Sequence, residues 1–139
     1  MVGVIFGQKG SGKTKKILEL ANKAAKEAHG SIVFIDDENS YMYDLDRNVR
    51  FVNAKEYDLV SPRMLYGFLC GLAASDYDLE YIYIDGLMRF IRTELSTLTE
   101  LFDQIERFSA LRGINVVMSV SGTADELPEF MKKYVLQLV

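Results

Sequence analysis

The chain has 139 residues, of which 49% are hydrophobic and 26% are charged. This composition is typical of a globular protein, and the length predicts a single domain over residues 1–139. The formal net charge of −4 argues against a general nucleic-acid binder, which would need a basic surface.

The cysteine count and the apolar stretches of the sequence bear on the compartment expected for the protein. Cys70 is the single cysteine, so an internal disulfide is excluded and a reducing cytoplasm is expected. The first apolar run has no charged leader and is too short for a secretory signal. No apolar stretch approaches the roughly 20 residues that a membrane helix needs, so we expect no membrane span.

The first predicted elements are a strand and a helix joined by a glycine-rich turn. Residues 2–6 form a short apolar run ended by glycine, as in a buried parallel strand. Gly30 stands where a glycine commonly ends a helix. The helix between them is predicted from apolar residues at helical spacing, namely Ile17, Leu18, Ala21, Ala24, Ala25 and Ala28.

The turn before this helix fits the pattern G-x-x-x-x-G-K-[ST]. Its residues are Gly7, Gln8, Lys9, Gly10, Ser11, Gly12, Lys13 and Thr14. Glycines let successive backbone N–H groups curve around an anion, and the positive end of the helix dipole faces the same point. Lys13 would bring its ammonium to the terminal phosphates, and Thr14 would place its hydroxyl on Mg²⁺. The pattern predicts a nucleotide phosphate site, in which Lys9 either touches phosphate or is simply exposed.

The next stretch predicts two strands and a helix. Residues 32–35 are an apolar strand that runs into the acidic segment 36–38, and residues 51–52 form a short strand. Ser61 followed by Pro62 predicts the start of a helix. That helix carries Gly67 and Gly71, whose spacing of four would allow a close approach to a neighbour.

A further strand and helix are predicted in the second half of the chain. The strand covers residues 81–84 and ends at Asp85 and Gly86. Thr97 and Glu100 have the spacing of a capping box at the start of the helix. Gly113 should end that helix.

The last predicted elements are a strand over residues 116–118, a short helix over 126–132 and a strand over 135–139. Strands that alternate with helices predict a three-layer α/β/α fold with a mainly parallel sheet. Ligands of such sheets bind beyond the carboxyl ends of the strands. The loop after residue 7, the segments 36–38 and 119–121, and Asp85 should therefore share one edge.

Asp85 is the candidate metal-orienting acid, because it ends an apolar strand in a chain that carries a phosphate-binding loop. The alternative is an aspartate that caps the following turn. Many ATPases with such a loop carry a glutamate directly after this aspartate, but Gly86 stands there. A base that activates water must then come from elsewhere, and Asp36, Asp37 and Glu38 are the available carboxylates.

The segment from Phe34 to Glu38 resembles the F-I-D-x-E segment of RecA-like ATPases. The order of elements is also similar, with the loop Gly7 to Thr14 first, then Glu38, then Asp85. The resemblance covers three short motifs in an order that spans most of the chain. It implies a RecA-like fold of the P-loop NTPase class, in which Glu38 polarises the attacking water and Asp85 orients the Mg²⁺ shell. An acidic, solvated loop is the alternative for Glu38.

Other positions depart from that family or stay open. Ser119 and Ser121 stand where RecA carries a glutamine-containing switch, so they either sense phosphate or simply end a strand. Tyr41 and Tyr43 are candidates for stacking on adenine, although their spacing fits poorly. An arginine could reach a phosphate of another subunit, but surface positions are the default for Arg63, Arg89, Arg92, Arg107 and Arg112.

Three functions follow as hypotheses. The first is an Mg-ATP-binding protein with slow hydrolysis, acting as a switch or an assembling motor. Lys13 and Glu38 would be its catalytic residues, and Thr14 and Asp85 would bind the metal. Its partner would be another protein or further copies of itself. The second is a nucleoside or small-molecule kinase with a RecA-like core, although the chain shows no arginine-rich lid. The third is a non-catalytic nucleotide-dependent interaction module, which Gly86 leaves open. The absence of an N-K-x-D motif favours adenine over guanine.

Overall fold

The computed structural model describes residues Met1–Val139 as six strands and four α-helices. The strands are β1 (Val2–Gly7), β2 (Ser31–Asp36), β3 (Val49–Asn53), β4 (Leu79–Ile84), β5 (Asn115–Ser121) and β6 (Val135–Leu138). The helices are α1 (Lys13–Glu27), α2 (Pro62–Ser75), α3 (Leu87–Phe90) and α4 (Thr99–Arg112). Short 3₁₀ turns cover Met42–Asp44, Ala54–Tyr57, Leu95–Thr97, Ala124–Glu126 and Glu129–Tyr134.

All six strands form one sheet in the order β3-β2-β4-β5-β1-β6, and every neighbouring pair is parallel. The prediction of an α/β fold with a mainly parallel sheet is confirmed, and the sheet is in fact entirely parallel. In register, Gly7 pairs with Ser121, and Ile84 pairs with both Met118 and Ile35. The carboxyl ends of β1, β2, β4 and β5 therefore meet at one edge, as expected.

Alternating side chains give the sheet two buried faces. Val4 and Phe6 of β1 belong to a core of 26 buried residues, whereas Ile5 between them belongs to a core of nine on the other face. The larger core includes the apolar sides of α2, α3 and α4, and the smaller one includes Ile17 and Ala21 of α1. Helices thus cover both faces, which gives the three-layer arrangement. None of the helices combines the length and apolar character that crossing a membrane would require.

Two of the predicted helix boundaries are confirmed. The Ser61 hydroxyl accepts a hydrogen bond from Met64 N at 3.2 Å, and Pro62 is the first residue of α2. Gly113 follows α4 with φ of 69°, a left-handed conformation that glycine adopts without steric cost.

The structure corrects two predictions in the C-terminal half. Thr97 and Glu100 form no capping box, because the Thr97 hydroxyl donates to Glu94 O within its own 3₁₀ turn and α4 begins at Thr99. A capping box occurs instead between Thr123 and Glu126. The helix expected over 126–132 is two 3₁₀ segments, since a proline at position 128 lacks an N–H and disfavours helical backbone before it.

The role expected for Gly30 was wrong, and Gly67 and Gly71 have no close neighbour within the chain. Helix α1 ends at Glu27, so Gly30 does not cap it. A Cβ at Gly30 would instead overlap the carbonyl oxygen of Asp78, where the loops before β2 and β4 lie against each other. At Gly67 and Gly71 a Cβ would meet no atom within 4 Å, so no neighbour approaches α2 at these positions.

Replacing Gly30 with alanine should destabilise the protein by about 2 kcal/mol, because the backbone of Asp78 must shift to make room. Chemical unfolding monitored by circular dichroism measures this change. Gly67→Ala is the matched control and should stabilise the protein by about 1 kcal/mol, since Gly67 is exposed within α2. Equal stability of Gly30→Ala and the wild type would show that the contact with Asp78 is not tight.

Candidate functional site

The glycine-rich turn connects β1 to α1 and leaves the start of the helix open. Gly10 and Gly12 have φ of +82° and +97°, in the left-handed region that favours glycine. Gly12 precedes the first residue of α1, and no side chain caps the helix there. The first-turn N–H groups and the positive end of the helix dipole are thus left for a ligand.

Lys13 lies folded against this turn. Its Nζ donates to Gln8 O at 2.8 Å, and the residue is only 7% exposed. Burial lowers the pKa of Lys13, and the charge of Arg89 lowers it further, while Asp85 opposes both. An ammonium that is buried beside an uncapped helix start is well placed for an anion.

The interior of the turn is tightly packed around an unpaired hydroxyl. A Cβ at Gly7 would overlap the carbonyl oxygen of Val139 and lie 2.7 Å from Ser11 Oγ. Ser11 N donates to Gln8 O at 3.1 Å, which closes the turn. Ser11 Oγ itself is buried and has no hydrogen-bond partner. Such a group is costly unless a partner arrives.

Thr14 and Asp85 join two segments that are far apart in sequence. Thr14 Oγ1 donates to Asp85 Oδ2 at 2.9 Å, across the strand β5 that separates β1 from β4. Ser119 of β5 donates its hydroxyl to Asp85 Oδ1 at 2.5 Å and accepts from Gly86 N at 2.7 Å. Asp85 is fully buried, so these hydrogen bonds fix its carboxylate in place.

Arg89 binds three carboxylates at the same edge. Its Nη2 lies 2.8 Å from Asp36 Oδ1 and 3.5 Å from Asp85 Oδ2, and its Nε lies 2.9 Å from Asp37 Oδ1. Burial acts to lower the pKa of Arg89, but its bond to Asp37 and the three negative charges outweigh burial and raise it. We refer to Arg89, Asp36, Asp37 and Asp85 as the Arg89 cluster.

The two neighbouring aspartates of the Arg89 cluster titrate differently. Burial, a hydrogen bond with Asp37 and the charge of Asp85 raise the pKa of Asp36 to about 7. Burial also acts to raise the pKa of Asp37, but hydrogen bonds from Arg89 and Asp36 outweigh it and lower that pKa. Asp36 Oδ2 is buried and accepts no hydrogen bond. A proton on Asp36 near neutral pH would reduce the repulsion between these carboxylates.

A cavity of about 520 Å³ lies over the glycine-rich turn. Its volume is in the range of small-molecule sites. The residues that line it are Lys9, Gly10, Gly12, Lys13, Thr14, Tyr41, Met88, Arg89 and Ser121. Another cavity, of about 550 Å³, lies beside His29, Arg50 and Asp78, but it has no helix N-terminus and no buried lysine.

Some of the predicted site residues lie together and others do not. Most of the glycine-rich turn, Thr14 and Asp85 converge as described, with Lys9 and Gln8 exposed on the turn. Glu38 is exposed and does not line the cavity. Tyr41 lines the cavity, whereas Tyr43 is 87% exposed outside it.

The sequence alone does not distinguish Arg89 from the other four arginines that are expected at the surface. The signal that could have selected it is its position four residues after Asp85, since side chains at this spacing meet on one side of a helix. The short helix α3 was not predicted, so the spacing had no structural meaning in the sequence.

A divalent cation at this edge would be held by Thr14 Oγ1 and the Asp85 carboxylate. No group of three or more His, Cys, Asp or Glu side chains could hold a metal ion by itself. Mg²⁺ commonly uses only one or two carboxylates and takes its other ligands from water and phosphate. The oxygen donors at Thr14 and Asp85 therefore fit Mg²⁺.

The stability of the protein should depend on the protonation of Asp36. Its folded pKa of about 7 lies above the ordinary value of 3.8, so the folded state holds this proton more tightly than the unfolded state does. The stabilisation from this proton is fully present below pH 3.8 and is lost as the pH rises to about 7. Urea unfolding across this range should show wild-type stability falling relative to Asp36→Asn, by at most about 1.4 kcal/mol per pH unit. Asp103→Asn, on the exposed side of α4, should keep the wild-type slope. An identical slope in Asp36→Asn would contradict the assignment.

No family model matches the chain, and no curated protein matches it in sequence.

Proposed function

We propose that this protein binds Mg-ATP in the cavity over residues 7–14. The hydrogen bond between Thr14 and Asp85 is the observation that carries the proposal. It brings the last residue of the glycine-rich turn to a buried carboxylate at the end of β4. A hydroxyl and a carboxylate beside an anion-binding turn form the pair that an Mg²⁺-bound phosphate needs.

The turn supplies the phosphate contacts in this proposal. Gly10 and Gly12 free the backbone N–H groups, and the start of α1 adds its dipole. Lys13 would exchange its bond with Gln8 O for a terminal phosphate oxygen. The unpaired Ser11 hydroxyl would gain an acceptor.

Thr14 and Asp85 would hold the metal, which neutralises charge between the β- and γ-phosphates when it is bound. Tyr41 and Met88 are the hydrophobic residues of the lining, so they are the candidates for contact with the base. Adenine is the proposed base, because the chain has no N-K-x-D motif. A RecA-like fold of the P-loop NTPase class is part of this proposal.

The proposed reaction is slow hydrolysis of ATP, coupled to a switch or to assembly. Glu38 follows β2 at the edge that carries Asp85 and is the proposed water-activating base. Because it is exposed and outside the cavity lining, the loop after β2 must bring it over the γ-phosphate. In this proposal the movement of that loop is the step that limits turnover.

A non-catalytic nucleotide-dependent interaction module is the second candidate. Two observations favour it. Position 86 offers no carboxylate next to Asp85, and Glu38 makes no hydrogen bond that would hold it toward the cavity. In that case the nucleotide would change the surface offered to a partner without being hydrolysed.

Lys13→Ala should weaken ATP binding by about 10- to 150-fold, because a charged hydrogen bond of about 1.5–3 kcal/mol is lost. Isothermal titration calorimetry with ATP and Mg²⁺ measures the change. Lys15→Ala removes the same charge from the same helical turn at an exposed position and should bind nearly as the wild type does. Unchanged affinity in Lys13→Ala would remove the nucleotide site from this turn.

Glu38→Gln should keep ATP affinity but reduce hydrolysis by about 100-fold or more, as expected for loss of a general base. Phosphate release with ATP alone gives the rate, and exposed Glu56→Gln is the control. Unchanged turnover would exclude Glu38 as the base. Tight binding without turnover in the wild type would favour the interaction module. Turnover only with an added nucleoside or metabolite would favour a kinase.

A further inference from the structure

Arg89 occupies the carboxylate edge on which the proposed metal would bind. It is the single cation bonded to Asp36, Asp37 and Asp85. The cluster is not fully satisfied by it, because Asp36 Oδ2 is buried without a partner. The three carboxylates of the Arg89 cluster therefore offer more hydrogen-bond acceptors than the single Arg89 guanidinium satisfies.

The metal and Arg89 compete for one atom. Asp85 Oδ2 accepts from Thr14 at 2.9 Å and lies 3.5 Å from Arg89 Nη2. A divalent cation bound by Thr14 and Asp85 would meet the guanidinium at close range. Repulsion between the two cations weakens the contact of each with this oxygen, so a bound metal ion favours the departure of Arg89.

Arg89 can lose its contact with Asp85 and keep its bonds to Asp36 and Asp37. Its contact with Asp85 is the longest of the three, and its bonds to Asp36 and Asp37 are 2.8 and 2.9 Å. Its side chain is 40% exposed, lines the cavity, and donates no hydrogen bond from Nη1. Bulk at Gly86 would block this arrangement, since a Cβ there would overlap the guanidinium.

We propose that Arg89 is a resident cation that holds Asp85 in the metal-free protein and withdraws from Asp85 Oδ2 when a divalent cation binds. It keeps Asp36 and Asp37 and turns its free donors to the cavity. Metal binding and the contact between Arg89 and Asp85 thus oppose each other. The inference rests on the proposed function for the place of the metal, at Thr14 and Asp85.

The test uses Mn²⁺ alone, without nucleotide, on the full chain. Arg89→Gln removes the competitor and should bind Mn²⁺ on the order of tenfold more tightly, read from the electron paramagnetic resonance signal of free Mn²⁺. Arg92→Gln is the matched control, because it removes one exposed positive charge three residues away and outside the Arg89 cluster. Affinity in Arg89→Gln equal to or below that of Arg92→Gln, or no binding by Arg89→Gln, overturns the proposal.

A second measurement on the wild type covers the case in which Arg89→Gln does not fold. In a Mg²⁺ titration followed by ¹⁵N NMR, the Arg89 Nε signal should shift with the same midpoint as the backbone N–H of Gly86, beside Asp85. A static Arg89 signal, with or without a Gly86 shift, overturns the proposal. Neither measurement contains ATP, so loss of this inference leaves the Lys13 test intact, and an ATP-binding failure in that test leaves the metal result readable.

Discussion

The site depends on the burial of one carboxylate. Asp85 is fully buried at the end of β4, and a buried charge is tolerated only when its oxygens are bonded. Ser119 supplies the bond to Oδ1, and Thr14 supplies the bond to Oδ2. These partners come from β5 and from the start of α1, so satisfying Asp85 holds three neighbouring elements in one arrangement.

The parallel sheet makes that arrangement available. Strands that all run in one direction bring their carboxyl ends to one edge, and each loop that follows starts from a fixed register. Asp85 N donates to Ile35 O at 2.8 Å, which sets the end of β4 against the end of β2. The Arg89 cluster can then form between residues that are about fifty positions apart. Packing on both faces supplies the stability, and the edge carries the polar groups.

The fold was largely predictable because its signals are local. Apolar runs of strand length, the Ser61 cap and the Gly113 stop each act over a few residues, and the structure confirms them. The errors arose where distant backbone intervenes. Gly30 has the position of a helix cap, but its real constraint is the carbonyl of Asp78, which no local pattern reveals. Thr97 has the spacing of a capping box, but its hydroxyl bonds within a 3₁₀ turn instead.

The candidate site, too, was predictable only where its signals are local in the sequence. The turn over residues 7–14 is a local motif, and the strand-end position of Asp85 follows from the alternation of elements. The role of Ser119 was not predictable, because a serine that ends a strand gives no sign that it bonds a buried carboxylate on the next strand. Arg89 was hidden for a related reason, since its partners lie at the ends of β2 and β4 and its helix has only four residues.

The position of the Arg89 guanidinium requires a glycine at position 86. Gly86 has φ of 71°, which a residue with a side chain rarely adopts, and a Cβ there would overlap the Arg89 guanidinium. A glutamate at this position, as in many ATPases with a phosphate-binding loop, would compete with Arg89 for the same space. In this chain the space beside position 86 holds the Arg89 guanidinium. Arg89 therefore holds the carboxylates of Asp36, Asp37 and Asp85 together at this edge. In the proposed hydrolysis, a base would have to come from the loop after β2.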